Sequence, residues 1–259
     1  MRSELRRNKV KSMLGAGKKV VGTFLASHSS SNLEVLAMAG FDFVVIDAEH
    51  SMKNPETIEH LIVAAEAAGI TPFVRIQEDI SLIERTLSVG ARGLMVPMCN
   101  TKAYAQSVVD AAKYAPIGKR GVCNTRVVDY GITGLSKMAS LFAAENDELL
   151  IMVQLETAEA VVNIEGILSV KGVDACFIGT LDLSHSLGVS CQLDHPLVDE
   201  CVQVVFKAAK KAHMPIGILS FDATGTNRSF EQGYDLVTMS CDTLFLAQTA
   251  LRQIGEVRR

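Results

Sequence analysis

Short runs of apolar residues alternate with longer stretches in which apolar positions recur every three or four residues, and the alternation continues to the end of the chain. The apolar runs cover 20–26, 43–47, 72–76, 93–98, 149–155, 173–178, 215–219 and 236–239. Most are continuous rather than alternating, as in strands covered on both faces. Between them the spacing predicts helices over 32–39, 55–68, 81–89, 102–114, 158–170, 196–212 and 243–254. Asn54 before Pro55 marks a helix start, and Gly40, Gly69, Gly90 and Gly172 sit where helices end. Segment 116–144 has no strand pattern and reads as a long loop plus one helix.

Strands alternating with helices, and no linker-like break, predict an α/β fold: eight parallel strands closed into a single (β/α)₈ TIM barrel spanning 1–259. An open doubly wound sheet is the rival. Its dinucleotide fingerprint, GxGxxG after the first strand, is missing, and Phe24-Leu25-Ala26-Ser27-His28 stands there instead.

Composition narrows the class. Hydrophobic residues make up 48% of the 259, enough for a large core, and charged residues 21%. A net charge of −4 gives no reason to expect a nucleic-acid partner. A basic cluster at Arg2, Arg6, Arg7, Lys9 and Lys11 is expected to decorate an exposed first helix. No secretory signal and no apolar stretch of about 18 residues is visible, so neither export nor a membrane is expected. The six cysteines show no zinc spacing, and they are expected to be reduced thiols in a cytoplasmic protein, Cys176 as core.

In such a barrel the chemistry sits at the carboxyl ends of the strands. There the second strand ends Asp47-Ala48-Glu49-His50, the third Val74-Arg75-Ile76 and the fifth Gln154-Leu155-Glu156-Thr157. The sixth gives way to Gly179-Thr180-Leu181-Asp182. Glu156 and Asp182 are two carboxylates suited to a hard divalent cation, magnesium, manganese or cobalt, and they leave coordination room for a chelating 2-oxo acid. Alternatively Asp182 and Thr157 cap the helices that follow. His50, three residues after Asp47, could be a base held in one tautomer by that carboxylate, or part of an ordinary polar loop. Arg75 needs an anionic partner if buried, with Asp47 or Glu49 the candidates. Gln154 shares a strand face with Glu156 and either lines the pocket or fills the top polar layer.

Other groups suggest less. His28 and His60 read as solvated, and His185 shows no partner spacing. The run Pro116-Ile117-Gly118-Lys119-Arg120-Gly121 is either an anion grip or a tight surface turn. A Schiff-base aldolase needs a strand lysine in a desolvated pocket. No apolar strand carries one; Lys53, Lys102 and Lys119 are loop or helix-start residues.

With these residues in view, the sequence resembles the HpcH/HpaI aldolase/citrate lyase family, in particular its metal-dependent pyruvate aldolases. The likeness runs from about Val20 to Leu251. It is carried by Ala39-Gly40-Phe41-Asp42-Phe43 leading into Ile46–His50, by Phe73-Val74-Arg75, Gly90-Ala91-Arg92-Gly93 and Val96-Pro97-Met98, then by residues 116–121, 153–157 and 177–184. The resemblance implies a PEP/pyruvate-type barrel, with Glu156 and Asp182 as metal ligands and His50 with Asp47 as the acid/base pair. It implies that Arg75 supports the substrate oxo oxygen, that Gln154 contacts pyruvate, and that backbone near Gly179, Thr180 and Leu181 holds its carboxylate. It also implies hexamers built from dimers that exchange the last helix. Departures from the family pattern fall at Ala48, Ser88, Cys123 and Thr180, which puts the aldehyde-side pocket in doubt.

The expectation is therefore a divalent-metal-dependent class II aldolase that cleaves or forms the C3–C4 bond of a 4-hydroxy-2-oxo acid, giving pyruvate, or a close 2-oxo acid, and an aldehyde. Two alternatives stand beside it: a lyase acting on a CoA thioester, for which only Lys119-Arg120 offers a basic patch, and a barrel that binds a 2-oxo acid without turning it over.

Overall fold

In the computed structural model, which describes residues 7–76 and 80–258, the eight apolar runs are eight parallel strands. They are β1 (Val20–Leu25), β2 (Phe43–Asp47), β3 (Thr71–Arg75), β4 (Gly93–Val96), β5 (Leu150–Leu155), β6 (Ala175–Ile178), β7 (Ile216–Ser220) and β8 (Leu236–Cys241). Each pairs with the next, and β8 returns to β1, closing the barrel. The expected fold class is the observed one.

Helices cover the outside. They are α1 (Lys9–Gly15), α2 (Ser30–Met38), α3 (Pro55–Ala68), α4 (Ser81–Ser88), α5 (Lys102–Ala112), α6 (Leu135–Glu148), α7 (Ala158–Val162), α8 (Ile164–Leu168), α9 (Thr180–Ser186), α10 (Pro196–Lys211), α11 (Ala223–Glu231) and α12 (Asp242–Gly255). Local chemistry explains their ends. Asn54, Thr101 and Asp222 each cap a first turn by accepting from a backbone amide three residues on, and Gly69 closes α3 at φ 78°. None is long and apolar enough to cross a membrane among the described residues.

Strand alternation sorts side chains into two cores. Val44, Ile46, Val74 and Ile151 face outward into the helix layer, while Phe43, Val45, Phe73, Met152 and Phe177 fill the barrel interior. At Gly93 a Cβ would lie 2.3 Å from the Phe73 ring, so glycine on β4 makes the room for phenylalanine on β3. Continuing the same alternation to the strand tops puts Asp47, Arg75, Gln154 and Gly179 above this apolar plug. The candidate site therefore stands on a rigid floor.

Three expectations need correction. The first helix is not merely exposed decoration, because Val10 is fully buried and packs with Met13 and Leu14 under the barrel's inner core. Lys11 pairs with Asp174 at 2.9 Å and donates to Leu149 O, while Lys9 donates to Gly69 O, so two of the basic residues fasten the plug. Arg2 and Arg6 lie outside the described residues. The helix predicted over 158–170 is two, broken at Asn163 (φ −92°, ψ 6°). A helix over Ala223–Glu231 has no counterpart in the apolar pattern, because the residues it buries are Thr226 and Ser229 rather than apolar ones. The long segment after α5 carries a 3₁₀ turn, Arg126–Gly131, before α6, with a small core of its own at Val127, Val128 and Met138. All six cysteines are free thiols.

Candidate active site

The carboxyl ends of the strands surround a cavity of about 250 Å³. Asp47, His50, Arg75, Gln154, Gly179 and Asp182 all line it. Thr180 and Leu181 do as well. Residues up to 135 apart in sequence thus converge as the barrel closes.

Arg75 organises one side. Its Nε and Nη2 donate to Asp47 Oδ1 and Oδ2 at 3.0 and 2.9 Å, and its Nε stands 3.3 Å from Glu49 Oε2. The guanidinium also stacks on the Phe24 ring, 4.7 Å from the centroid. Both expected ion-pair partners are present together. Burial alone would raise the Asp47 carboxyl, but the fork from Arg75 and the amides of His50 and Glu49 outweigh it and hold it below the usual range. Glu49 goes the other way: burial, reinforced by the charges of Asp47 and Asp182, lifts it despite Arg75 and His50.

The expected pairing of the His50 imidazole with Asp47 is not what the structure shows. The His50 backbone N–H donates to Asp47 Oδ1 at 3.2 Å, while the half-exposed imidazole stands 3.7 Å from Glu49 Oε2. Both oxygens of Asp47 are occupied by Arg75, so the carboxylate free to face the ring is Glu49.

Glu156 follows directly on β5 and is buried. Met98, turned to φ 50° beyond β4, donates its N–H to Glu156 Oε1 at 2.6 Å, and Gln154 Nε2 donates to Oε2 at 2.7 Å. Burial, with Glu49 and Asp182 nearby, pushes this carboxyl up to about 7 against the pull of Met98 N–H and Arg75. Gln154 Oε1 is buried without a partner. Asp182 lies exposed in the first turn of α9 and makes no capping bond, whereas Thr157 does cap α7. Of the two capping alternatives, Thr157 takes one and Asp182 is left facing the cavity.

Among the described residues no group of three or more His, Cys, Asp or Glu side chains is arranged to hold a metal. The donor set nevertheless fits a hard divalent cation. The charges of Glu49 and Asp182 add to burial in raising the Glu156 carboxyl, the orphaned Oε1 belongs to the Gln154 side chain bonded to it, and Mg²⁺ commonly takes only one or two protein carboxylates.

The remaining candidates fall away. His28 and His60 are exposed, and His185 bonds Ser190 on the surface at 2.8 Å. Lys119 is paired with Asp110, and Arg120 is buried under the Tyr114 ring at 4.4 Å, so neither offers a phosphate grip. Lys53 is more than a loop residue: buried, it donates to Leu25 O, Ala26 O and Asp47 O and ties the tops of β1 and β2 together. Sequence reasoning also missed the apolar part of the lining, formed by Phe24, on which Arg75 stacks, with Leu219, Phe221 and Leu244. Apolar residues at strand ends carry no chemical signature, and only their convergence reveals them.

Comparison with known proteins bears on this geometry. The family model described as HpcH/HpaI aldolase/citrate lyase matches residues 20–249. A hydroxypyruvate/pyruvate aldolase from Sagittula stellata is 34% identical over 98% of this chain and 99% of its own. A 2-keto-3-deoxy-L-rhamnonate aldolase from Klebsiella pneumoniae is 33% identical, covering 96% and 92%. The solved structure of an HpcH/HpaI aldolase/citrate lyase family protein from Burkholderia cenocepacia superposes with a TM-score of 0.90 at 31% identity, over 97% of this chain and all of that one. With matches of this length on a closed eight-stranded barrel, the chain belongs to the HpcH/HpaI aldolase/citrate lyase family and is a carbon–carbon lyase.

Proposed function

We propose that this enzyme is a divalent-metal-dependent aldolase. It cleaves or forms the C3–C4 bond of a 4-hydroxy-2-oxo acid, and its products are pyruvate, or a close 2-oxo acid, and an aldehyde. The observation that carries the reading is the convergence of Asp47, His50, Arg75, Gln154 and Asp182 on one cavity, with the buried Glu156 bonded to Gln154. The names of the two curated relatives, both aldolases of 2-oxo acids, favour the same substrate class.

Glu156 and Asp182 would hold the cation, and Mg²⁺, Mn²⁺ and Co²⁺ all suit such oxygen donors. When bound, the cation supplies Lewis-acid polarisation of the 2-oxo oxygen. Arg75 faces that oxygen and stabilises the negative charge that grows there as C3–C4 breaks. His50 accepts the proton of the 4-hydroxyl as the C4–O bond becomes a carbonyl. The electron pair of the broken bond passes into the enolate, and a proton returned to C3 gives the methyl of pyruvate. Gln154 and the backbone from Gly179 to Leu181 orient the acid end, and the apolar plug beneath excludes water.

The test is release of pyruvate from a panel of 4-hydroxy-2-oxo acids, with Mg²⁺ or Mn²⁺ and again with chelator. Metal-dependent release is expected. No metal-dependent release from any substrate would remove the reading and favour a non-catalytic binder or the CoA route, although the latter lacks a free basic patch here.

The same reading extends to assembly. Of α12 only Asp242 is buried, while Leu246, Leu251 and Ile254 are exposed. A terminal helix with so much uncovered apolar surface packs on another copy of this chain, and light scattering should report a homo-oligomer that Leu251→Glu weakens.

A further inference from the structure

The end of β1 is held by side chains at the point where regular sheet pairing gives out. On one side, its ladder with β2 stops at Leu25 opposite Ile46. On the other, its register with β8 shifts between Gly22 and Phe24. Lys53 bridges the β2 side: its Nζ donates to Ala26 O at 2.8 Å, to Asp47 O at 3.0 Å and to Leu25 O at 3.1 Å. Asp242, in the first turn of α12, grips the β8 side. Its Oδ1 accepts from Ala26 N–H at 2.8 Å and from Ser27 N–H at 3.3 Å, while Asn32 Nδ2 holds its Oδ2 at 2.9 Å.

The two charges share the same peptide units. Leu25 O and Ala26 N–H belong to one amide, Ala26 O and Ser27 N–H to the next, and each amide gives its oxygen to Lys53 and its hydrogen to Asp242. Successive carbonyls of an extended strand point to opposite sides, so this alignment fixes the bend by which the chain leaves β1. Lys53 is buried, yet its partners, Ser51 Oγ included, are all neutral oxygens among the described residues. A buried ammonium that touches no carboxylate opposes folding, where an apolar side chain of similar length would not. That cost falls on the one side chain that ties together both supports of Arg75. Phe24, whose ring carries the guanidinium, ends the same stretch of β1, and Asp47, whose carboxylate forks it, gives Lys53 its carbonyl.

We propose that Lys53 is a positioning residue for Arg75, acting with Asp242 through the amides between them. It fixes the stacking ring relative to the forked carboxylate, and so aims the guanidinium at the oxo oxygen of the substrate. This rests on the aldolase reading above. A residue that works only through Arg75 has nothing left to lose once Arg75 is gone, and that separates positioning from a general role in stability.

The experiment is a double-mutant cycle on kcat, with Mg²⁺ and the best substrate of the panel. Lys53→Met removes the ammonium and should lower kcat by about 10- to 100-fold, the cost of a misplaced catalytic group, with a smaller change in KM. In the Arg75→Ala background the same substitution should lower kcat by less than about twofold further. Asp242→Asn leaves an oxygen for the two amides, so it should lose a smaller factor and also be silent without Arg75; it carries the cycle if Lys53→Met does not fold. Exchange of the pyruvate methyl protons with solvent deuterium needs no aldehyde, but it does need charge stabilised on the oxo oxygen. It should therefore slow in Lys53→Met as much as cleavage does. Absence of exchange in the wild type would overturn the aldolase reading and this assignment with it. Wild-type exchange together with an unchanged kcat in Lys53→Met, with equal losses in both backgrounds, or with cleavage slowed and exchange untouched, would overturn the role of Lys53 alone.

Discussion

A Cβ on residue 179 would stand 2.4 Å from Glu156 Oε2, so the hydrogen of Gly179 is what lets the β5 carboxylate lie against the end of β6. The contact is to a side chain already held by Met98 N–H and Gln154 Nε2, leaving little freedom to retreat. Gly179→Ala should therefore displace Glu156 rather than unfold the barrel. The expected outcome is a loss of metal-supported turnover of about 10- to 100-fold, the usual range when a ligand's support is disturbed. Titrating pyruvate release against Mn²⁺ should show a weaker metal midpoint at nearly unchanged Tm. Wild-type turnover in Gly179→Ala would mean that the position of Glu156 does not matter.

Arg75 is predicted to act on charge that grows during the reaction, so its loss should appear chiefly in kcat. Arg75→Ala is expected to lower kcat by on the order of 10²-fold or more, with a smaller change in KM. It should also lower Tm, because Asp47 and Glu49 would keep their burial without the cation that pairs with them. Arg75→Lys keeps the charge but cannot span both Asp47 oxygens, and should fall between. Steady-state kinetics on all three enzymes decide this, and a change confined to KM would contradict it.

Much of this was legible in the sequence, and the parts that were not share a cause. Continuous apolar runs between helical patterns announced the barrel, and strand ends that turn ionisable announced Asp47, Arg75, Glu156 and Asp182. What periodicity cannot report is orientation within a loop. Asp47 and His50 are close in sequence, yet the turn after β2 spends the Asp47 carboxylate on Arg75 and two amides and brings Glu49 to the imidazole. Nor can it report an inserted residue: Ser240 falls just past the apolar run 236–239, and only the register against β1 shows that β8 carries one residue more there. The first helix looked exposed because its basic residues outnumber the single fully buried Val10.

The loop after β2 therefore gives a prediction that separates the two carboxylates. Glu49→Gln should lower kcat by about tenfold or more, part of the 10²–10⁴ that a positioned base contributes, with the fold intact. Asp47→Asn should instead release Arg75 from its fork and lower Tm as well as kcat. Thermal melts beside kinetics distinguish them. If Glu49→Gln were silent and Asp47→Asn lost activity without losing stability, Asp47 would be the partner of His50 after all.

At the opposite face of the barrel, Lys113 gives a prediction about stability and pH. Its ammonium is buried, donates to Asn146 O and Leu149 O at 2.6 and 2.9 Å, and has Asp174 at 3.8 Å. Burial, helped by the charge of Lys11 and opposed by Asp174, pushes it from 10.5 down to about 8. Below pH 8 both folded and unfolded chains hold the proton, and the full cost of burying the charge is present. Between 8 and 10.5 the unfolded chain holds a proton that the folded chain has shed, so this residue's contribution to stability rises with pH, and above 10.5 it is constant. The span of about 2.5 units corresponds to about 3 kcal/mol at most. Lys113→Met cannot titrate and serves as the reference. Urea unfolding of both proteins at pH 7.5 and pH 10 should show the wild type gaining on the variant at the higher pH, by roughly 1–3 kcal/mol. A difference independent of pH would mean that the ammonium is solvated in the folded protein, and that the fastening of α1 beneath the barrel does not depend on a buried charge.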